Sequence, residues 1–155
     1  MDKTLLFQAL AAELTKNLEL ALQAAQATYD IATHEDNKAE NKYDTRGLEA
    51  SYLAGAQAER VRDLKETLGL ISTLKIKNFT DADKIAQTAL IKAEFSGRES
   101  WLLLLPKGGG QNFSYEGRSV KVITPESPLG ELLVGKSVDD SITLNGKEYF
   151  ILEVH

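Results

Sequence analysis

Between residues 7 and 32, apolar and small side chains recur at steps of three and four: Phe7, Leu10, Leu14, Leu18, Ala21, Ala25, Thr28 and Ala32. That spacing keeps one face of an α-helix apolar. A second stripe follows in Leu53, Gln57, Val61, Leu64, Leu68 and Ile71. Neither Pro nor Gly interrupts the chain between Met1 and Gly47, and abundant alanine favours helix while letting a neighbouring helix come close. The pattern predicts two helices of roughly 28–35 residues, each on the order of 45 Å long at about 1.5 Å per residue. Neither buries its stripe alone, so the expected arrangement is an N-terminal antiparallel coiled-coil helical hairpin. Asn17 and Gln57 interrupt its heptad.

After residue 68 the period changes. All three prolines (Pro106, Pro125 and Pro128) and nine of the eleven glycines lie there. Alternating or β-rich runs at Thr88–Phe95, Ser100–Leu105, Ser119–Thr124, Ser141–Leu144 and Lys147–Val154 predict strands. Asn145-Gly146, between the last two, is a two-residue hairpin signal, because both central positions of that turn require φ > 0. Gly108–Gly110 is expected to join two other strands, and Trp101 to fill the core between them. The expected fold class is therefore α+β: a hairpin over residues 1–76, a linker over 77–84, and a small, mostly antiparallel β domain over 85–155. Tyr43 and Tyr52 are expected to pack at the neck of the hairpin.

Composition narrows the function. With 43% hydrophobic and 26% charged residues in 155, the chain is globular in character and too apolar for disorder. No apolar run approaches the roughly 20 residues needed to cross a bilayer, and the first residues lack the basic region and cleavage site of a signal peptide. There is no cysteine, which removes disulfides, a thiolate nucleophile and Cys-type zinc sites. A cytoplasmic protein with no membrane partner is expected. The net charge of −5 is spread evenly: residues 1–78 carry 10 basic and 12 acidic side chains, residues 79–155 carry 8 and 11. Neither half supplies the clustered Lys and Arg that phosphate neutralisation needs, so contact with nucleic acid is expected only indirectly, through another protein. Gly108–Gly110 lacks the Lys-Ser/Thr and helix start of a phosphate loop. No Gly-x-Ser-x-Gly nucleophile motif occurs, and no small-molecule substrate is expected.

One segment concentrates charge. Residues 34–44 hold four carboxylates in eleven positions (Glu35, Asp36, Glu40 and Asp44), where one helical pattern stops and the next begins. Charge at the far end of a hairpin either solvates the turn or serves a partner. Asp44 or Thr45 is suited to cap the second helix, with Gly47 and Leu48 just inside it. His34 reads as a proton shuttle, a phosphate ligand or a polar surface residue.

At two places the chain resembles the Gre family of bacterial transcript-cleavage factors, the GreA/GreB type. The tip His34-Glu35-Asp36-Asn37-Lys38-Ala39-Glu40-Asn41 is similar to the family's His-Gly-Asp-Leu-Lys-Glu-Asn. The segment Val122-Ile123-Thr124-Pro125-Glu126-Ser127-Pro128-Leu129-Gly130-Glu131-Leu132-Leu133-Val134-Gly135-Lys136 resembles the family's Ser-Pro … Leu-Ile/Val-Gly-Lys stretch. The resemblance implies an FKBP-like C-terminal domain and a transcription elongation factor that is not an enzyme alone. Its partner would be RNA polymerase, whose secondary channel the hairpin enters. There it would stimulate the polymerase's own Mg-dependent cleavage of backtracked transcripts.

Such hydrolysis uses two divalent ions, the second of them weakly held unless further oxygen ligands arrive. On this resemblance Asp36 is the first candidate ligand and Glu40 the second. The Mg²⁺ would be shared with the polymerase, and no intrinsic cofactor is implied. Ser127, Pro128, Leu129 and Gly130 are expected in an exposed polymerase-binding loop. Lys42 and Arg46 balance local charge or meet polymerase carboxylates and RNA phosphate. The tip departs from the family in three places: Glu35 stands where Gly is usual, Asn37 replaces an aliphatic residue, and Ala39 occupies the second glutamate's place, with Glu40 one position later. One residue turns a helical side chain by about 100°. That departure keeps a channel-occupying modulator or inhibitor without cleavage activity as the alternative. An FKBP-type prolyl isomerase or chaperone, and a plain coiled-coil interaction protein, are further readings; the last leaves the Ser-Pro-Leu-Gly segment unexplained.

Overall fold

The computed structural model describes residues 2–33 and 46–155. Two long helices open the chain, α1 (Lys3–Thr33) and α2 (Arg46–Thr73). Asp2 caps α1: its carboxylate accepts from the backbone N–H groups of Thr4 at 2.9 Å and Leu5 at 3.3 Å, two of the donors a helix start leaves unpaired. Six strands and one short helix follow: β1 (Leu90–Phe95), β2 (Arg98–Leu104), β3 (Asn112–Tyr115), β4 (Arg118–Ile123), α3 (Pro128–Leu133), β5 (Ser141–Leu144) and β6 (Lys147–Val154). The expected strands are present, the last two with the expected bounds. β3 and α3 were not foreseen: Asn112–Tyr115 is only four residues long, and the loop expected around Ser127–Gly130 is helical. Among the described residues no helix is long and apolar enough to cross a membrane.

The chain forms two compact units, Ala12–Gly69, and the start of α1 through Ala11 together with Leu70–His155. In the first unit the buried positions follow a narrow stripe. Phe7, Leu14, Ala21 and Thr28 of α1 are buried at seven-residue intervals that run from the second unit into the first. Among the described residues of α2, Val61, Leu64 and Thr67 are buried in this unit, and Ile71 is buried just beyond it. Leu53, expected in the second stripe, is 52% exposed, and Thr67 is buried where Leu68 was expected to be.

The second unit is built on a single mixed sheet of order β3-β4-β2-β1-β6-β5, antiparallel except that β2 runs parallel to β4. Three of its turns are two-residue hairpins with both residues at positive φ: Ser96-Gly97 (50° and 74°), Glu116-Gly117 (49° and 74°) and Asn145-Gly146 (51° and 73°). These turns carry the twist that adjoining strands require. Gly108–Gly110 lies in the β2–β3 connection, as expected.

One sheet face holds Ile91, Ala93, Leu102, Leu104, Ile123, Ile142, Ile151 and Val154, packed with Phe79, Ile85 and Leu133. Ile151 and Val154 are three apart, which a regular strand would place on opposite faces. A register shift in the β1–β6 pairing aligns Ala93 with Ile151 and Lys92 with Glu153, so both apolar residues face the core. The same shift brings Glu153 to the side of Lys92. The other face also carries buried residues: Leu90, Leu103, Phe113, Tyr115, Val120 and Val122. The Tyr115 hydroxyl donates to the Asp2 carbonyl at 3.0 Å, tying the start of α1 to β3.

The stretch 77–84, read from sequence as a linker, is held by several bonds. Phe79 is in the core cluster, Ile85 N–H donates to the Lys136 carbonyl at 2.7 Å, and Asp83 accepts from both the backbone and hydroxyl of Thr80. Lys77 pairs with the same carboxylate at 2.7 Å. These donors, the Lys77 bond foremost, hold the Asp83 carboxyl down at about 2.

Candidate functional site

The acidic tip, with His34, Asp36, Glu40 and the Asp44/Thr45 cap, lies outside the described residues. Tyr52 of α2 is 72% exposed, contrary to the packing role expected of it.

The Ser127–Gly130 segment is described in full, and most of its chemistry is internal. Ser127, in extended backbone geometry, is the N-cap of α3, and Pro128 fills the first turn, where no N–H is needed. The Ser127 hydroxyl donates to the Thr124 carbonyl at 2.7 Å and accepts from Gly130 N–H at 3.1 Å. Gly130 is buried against the same carbonyl: a Cβ there would overlap the Thr124 oxygen, with the Thr124 carbonyl carbon at 2.8 Å. Ser127 and Gly130 thus shape the turn. Pro128 is exposed and Leu129 half-buried, and these two border a groove of about 580 Å³ together with Lys121, Leu144, Tyr149 and the Gly109-Gly110 backbone. The exposed loop expected here is instead the start of a short capped helix.

Sequence reasoning missed two further clusters. The first is around Lys3, which is only 4% exposed. Its ammonium donates to the carbonyls of Lys77, of Thr88 at 2.6 Å and of His155 at 3.0 Å, and sits 4.8 Å from the centre of the Phe79 ring. Burial, then the charge of Lys77, lowers its pKa from 10.5 to about 8. Thr88 itself has φ of 72°, unusual for a β-branched residue. Its hydroxyl accepts from Lys77 N–H, its own N–H donates to the Leu104 carbonyl, and its carbonyl meets Lys3, so the conformation is held from three sides. Nothing in the local sequence distinguishes Lys3 from a solvated lysine.

The second cluster lies on the sheet face opposite the Phe79 core. Lys92 pairs with Glu99 at 2.9 Å and Glu153 at 3.2 Å, and Glu153 meets the His155 ring at 2.9 Å. Hydrogen bonds to Glu99, then Glu153, raise the Lys92 pKa, while the His155 bond leads in lowering that of Glu153. Trp101, expected in the core, is half-buried here instead, with Arg118 5.1 Å from its ring centre and His155 stacked at 6.1 Å. β2 alternates, and its core-facing positions are Leu102 and Leu104. Among the described residues no group of three His, Cys, Asp or Glu side chains is placed to hold a metal ion.

No family model and no curated protein matches the chain. It is similar to solved structures of Gre-type factors. GreA factor homolog 1 (Gfh1) of Thermus thermophilus is 17% identical over 94% of both chains, with a TM-score of 0.38. Gfh1 of Thermus aquaticus is 20% identical over 93% of this chain and 92% of that one, with a TM-score of 0.37. A prokaryotic transcription elongation factor GreA/GreB from Nitrosomonas europaea is 14% identical over 69% of this chain and 91% of that one, with a TM-score of 0.34.

Proposed function

We propose that this chain is a cytoplasmic transcription elongation factor of the Gre type that binds RNA polymerase and acts through the acidic segment between α1 and α2. The observation that carries the reading is the Thr124–Lys136 segment. Its family-like Ser and Gly each have a physical reason to be there, since Ser127 caps α3 and Gly130 fits where a Cβ would strike the Thr124 carbonyl. In this reading the two helices form an antiparallel coiled coil, for which the buried seven-residue series Phe7, Leu14, Ala21 and Thr28 speaks. The sheet unit is an FKBP-like domain that docks on the polymerase through Pro128, Leu129 and the groove beside them.

The tip then supplies oxygen ligands. Asp36, with Glu40 as second ligand, would hold the weakly bound Mg²⁺ of the polymerase, which would supply activation of the attacking water. The protein stimulates the polymerase and is no catalyst alone. A second reading, a channel-occupying modulator, is favoured by one observation: Ala39 stands in the second glutamate's place and Glu40 follows one position later.

Core polymerase held in a backtracked complex separates the two. Cleavage is expected to be stimulated by the wild-type chain and lost in Asp36→Asn with binding retained; the loss for Glu40→Gln is expected to be smaller. Binding without stimulation at any Mg²⁺ concentration selects the modulator. Absence of binding to polymerase overturns both readings.

A further inference from the structure

We draw no further inference here: the strongest candidate, the cleft of about 370 Å³ on the sheet face lined by Lys92, Glu99, Trp101, Arg118, Glu153 and His155, carries nothing, because each of its charged groups already pairs within the chain and nothing in the structure shows what covers it.

Discussion

The helical unit and the sheet unit bury their apolar side chains to very different degrees. In the sheet unit Leu90, Ile91, Leu103, Leu104 and Leu105 are all fully buried, and both faces of the sheet contribute. In Ala12–Gly69 the buried stripe is one side chain wide and includes Ala21, Thr28 and Thr67, while Leu20, Leu22, Tyr29, Ile31, Leu48, Tyr52 and Leu53 stand exposed. Small residues on a stripe bury little area each, and buried apolar area is the main favourable term in folding. Stability in this protein is therefore concentrated in the sheet unit. Most helical stability in proteins comes from packing of an apolar face, so the narrow stripe leaves the helical unit with the smaller share.

The same substitution, glycine to alanine, breaks that comparison open from opposite ends. The largest effect is expected at Gly130, where the added methyl would lie 1.9 Å from the Thr124 carbonyl oxygen and force backbone to shift. Gly130→Ala is expected to destabilise by about 3 kcal/mol, as overpacking does, read as a lower urea midpoint. An unchanged midpoint would show that the Thr124 turn is free to move.

Next is Lys3. Lys3→Met leaves the Lys77 and Thr88 carbonyls without their ammonium donor, at an expected cost of about 2 kcal/mol for the stranded acceptors. The wild-type chain also carries a pH signature here. Its folded pKa of about 8 lies below the unfolded value of 10.5, so between these limits the unfolded chain binds the proton that the folded one has released. The Lys3 contribution should make stability rise with pH across that window and leave it flat below. Subtracting the Lys3→Met profile from the wild-type profile isolates the slope, and equal slopes would remove Lys3 as its source.

A smaller effect is expected at Ser127→Ala, which removes the α3 cap and should cost about 1 kcal/mol; polymerase binding should weaken no more than the stability loss explains. At the small end is Gly55→Ala in α2, where nothing lies within 4 Å of the new methyl. It is expected to stabilise by about 0.5–1 kcal/mol through helix propensity alone. A destabilisation there would mean that the helical unit is packed as closely as the sheet.

Legibility followed the range of the interactions. The Asn145-Gly146 hairpin was readable because a positive φ at two adjacent positions has a residue signature; Ser96-Gly97 and Glu116-Gly117 form the same turn with weaker signatures. The α3 helix is hard to read because six residues with Pro first and Gly third resemble a loop, whereas its stability comes from the Ser127 cap and from packing of Leu129 and Leu133 on the sheet. Within the Ser127–Gly130 segment, the sequence pattern did not show that Ser127 and Gly130 build the turn, Ser127 as the α3 cap and Gly130 against the Thr124 carbonyl, because both roles depend on backbone geometry.

The chain's own sequence determined the two helices, the strand runs, the Asn-Gly turn and the acidic segment between the helices, because periodicity, backbone sterics and charge density act within a few residues of one another. Only the tertiary structure decided that β2 and β4 pair in parallel, that the β1–β6 register shift aligns Glu153 with Lys92, that Trp101 faces a charged cleft, and that Lys3 is buried beneath three carbonyls from distant parts of the chain. Those outcomes depend on which partners, up to 152 positions away, best satisfy burial and hydrogen bonding together. Local pattern carries no information about such partners.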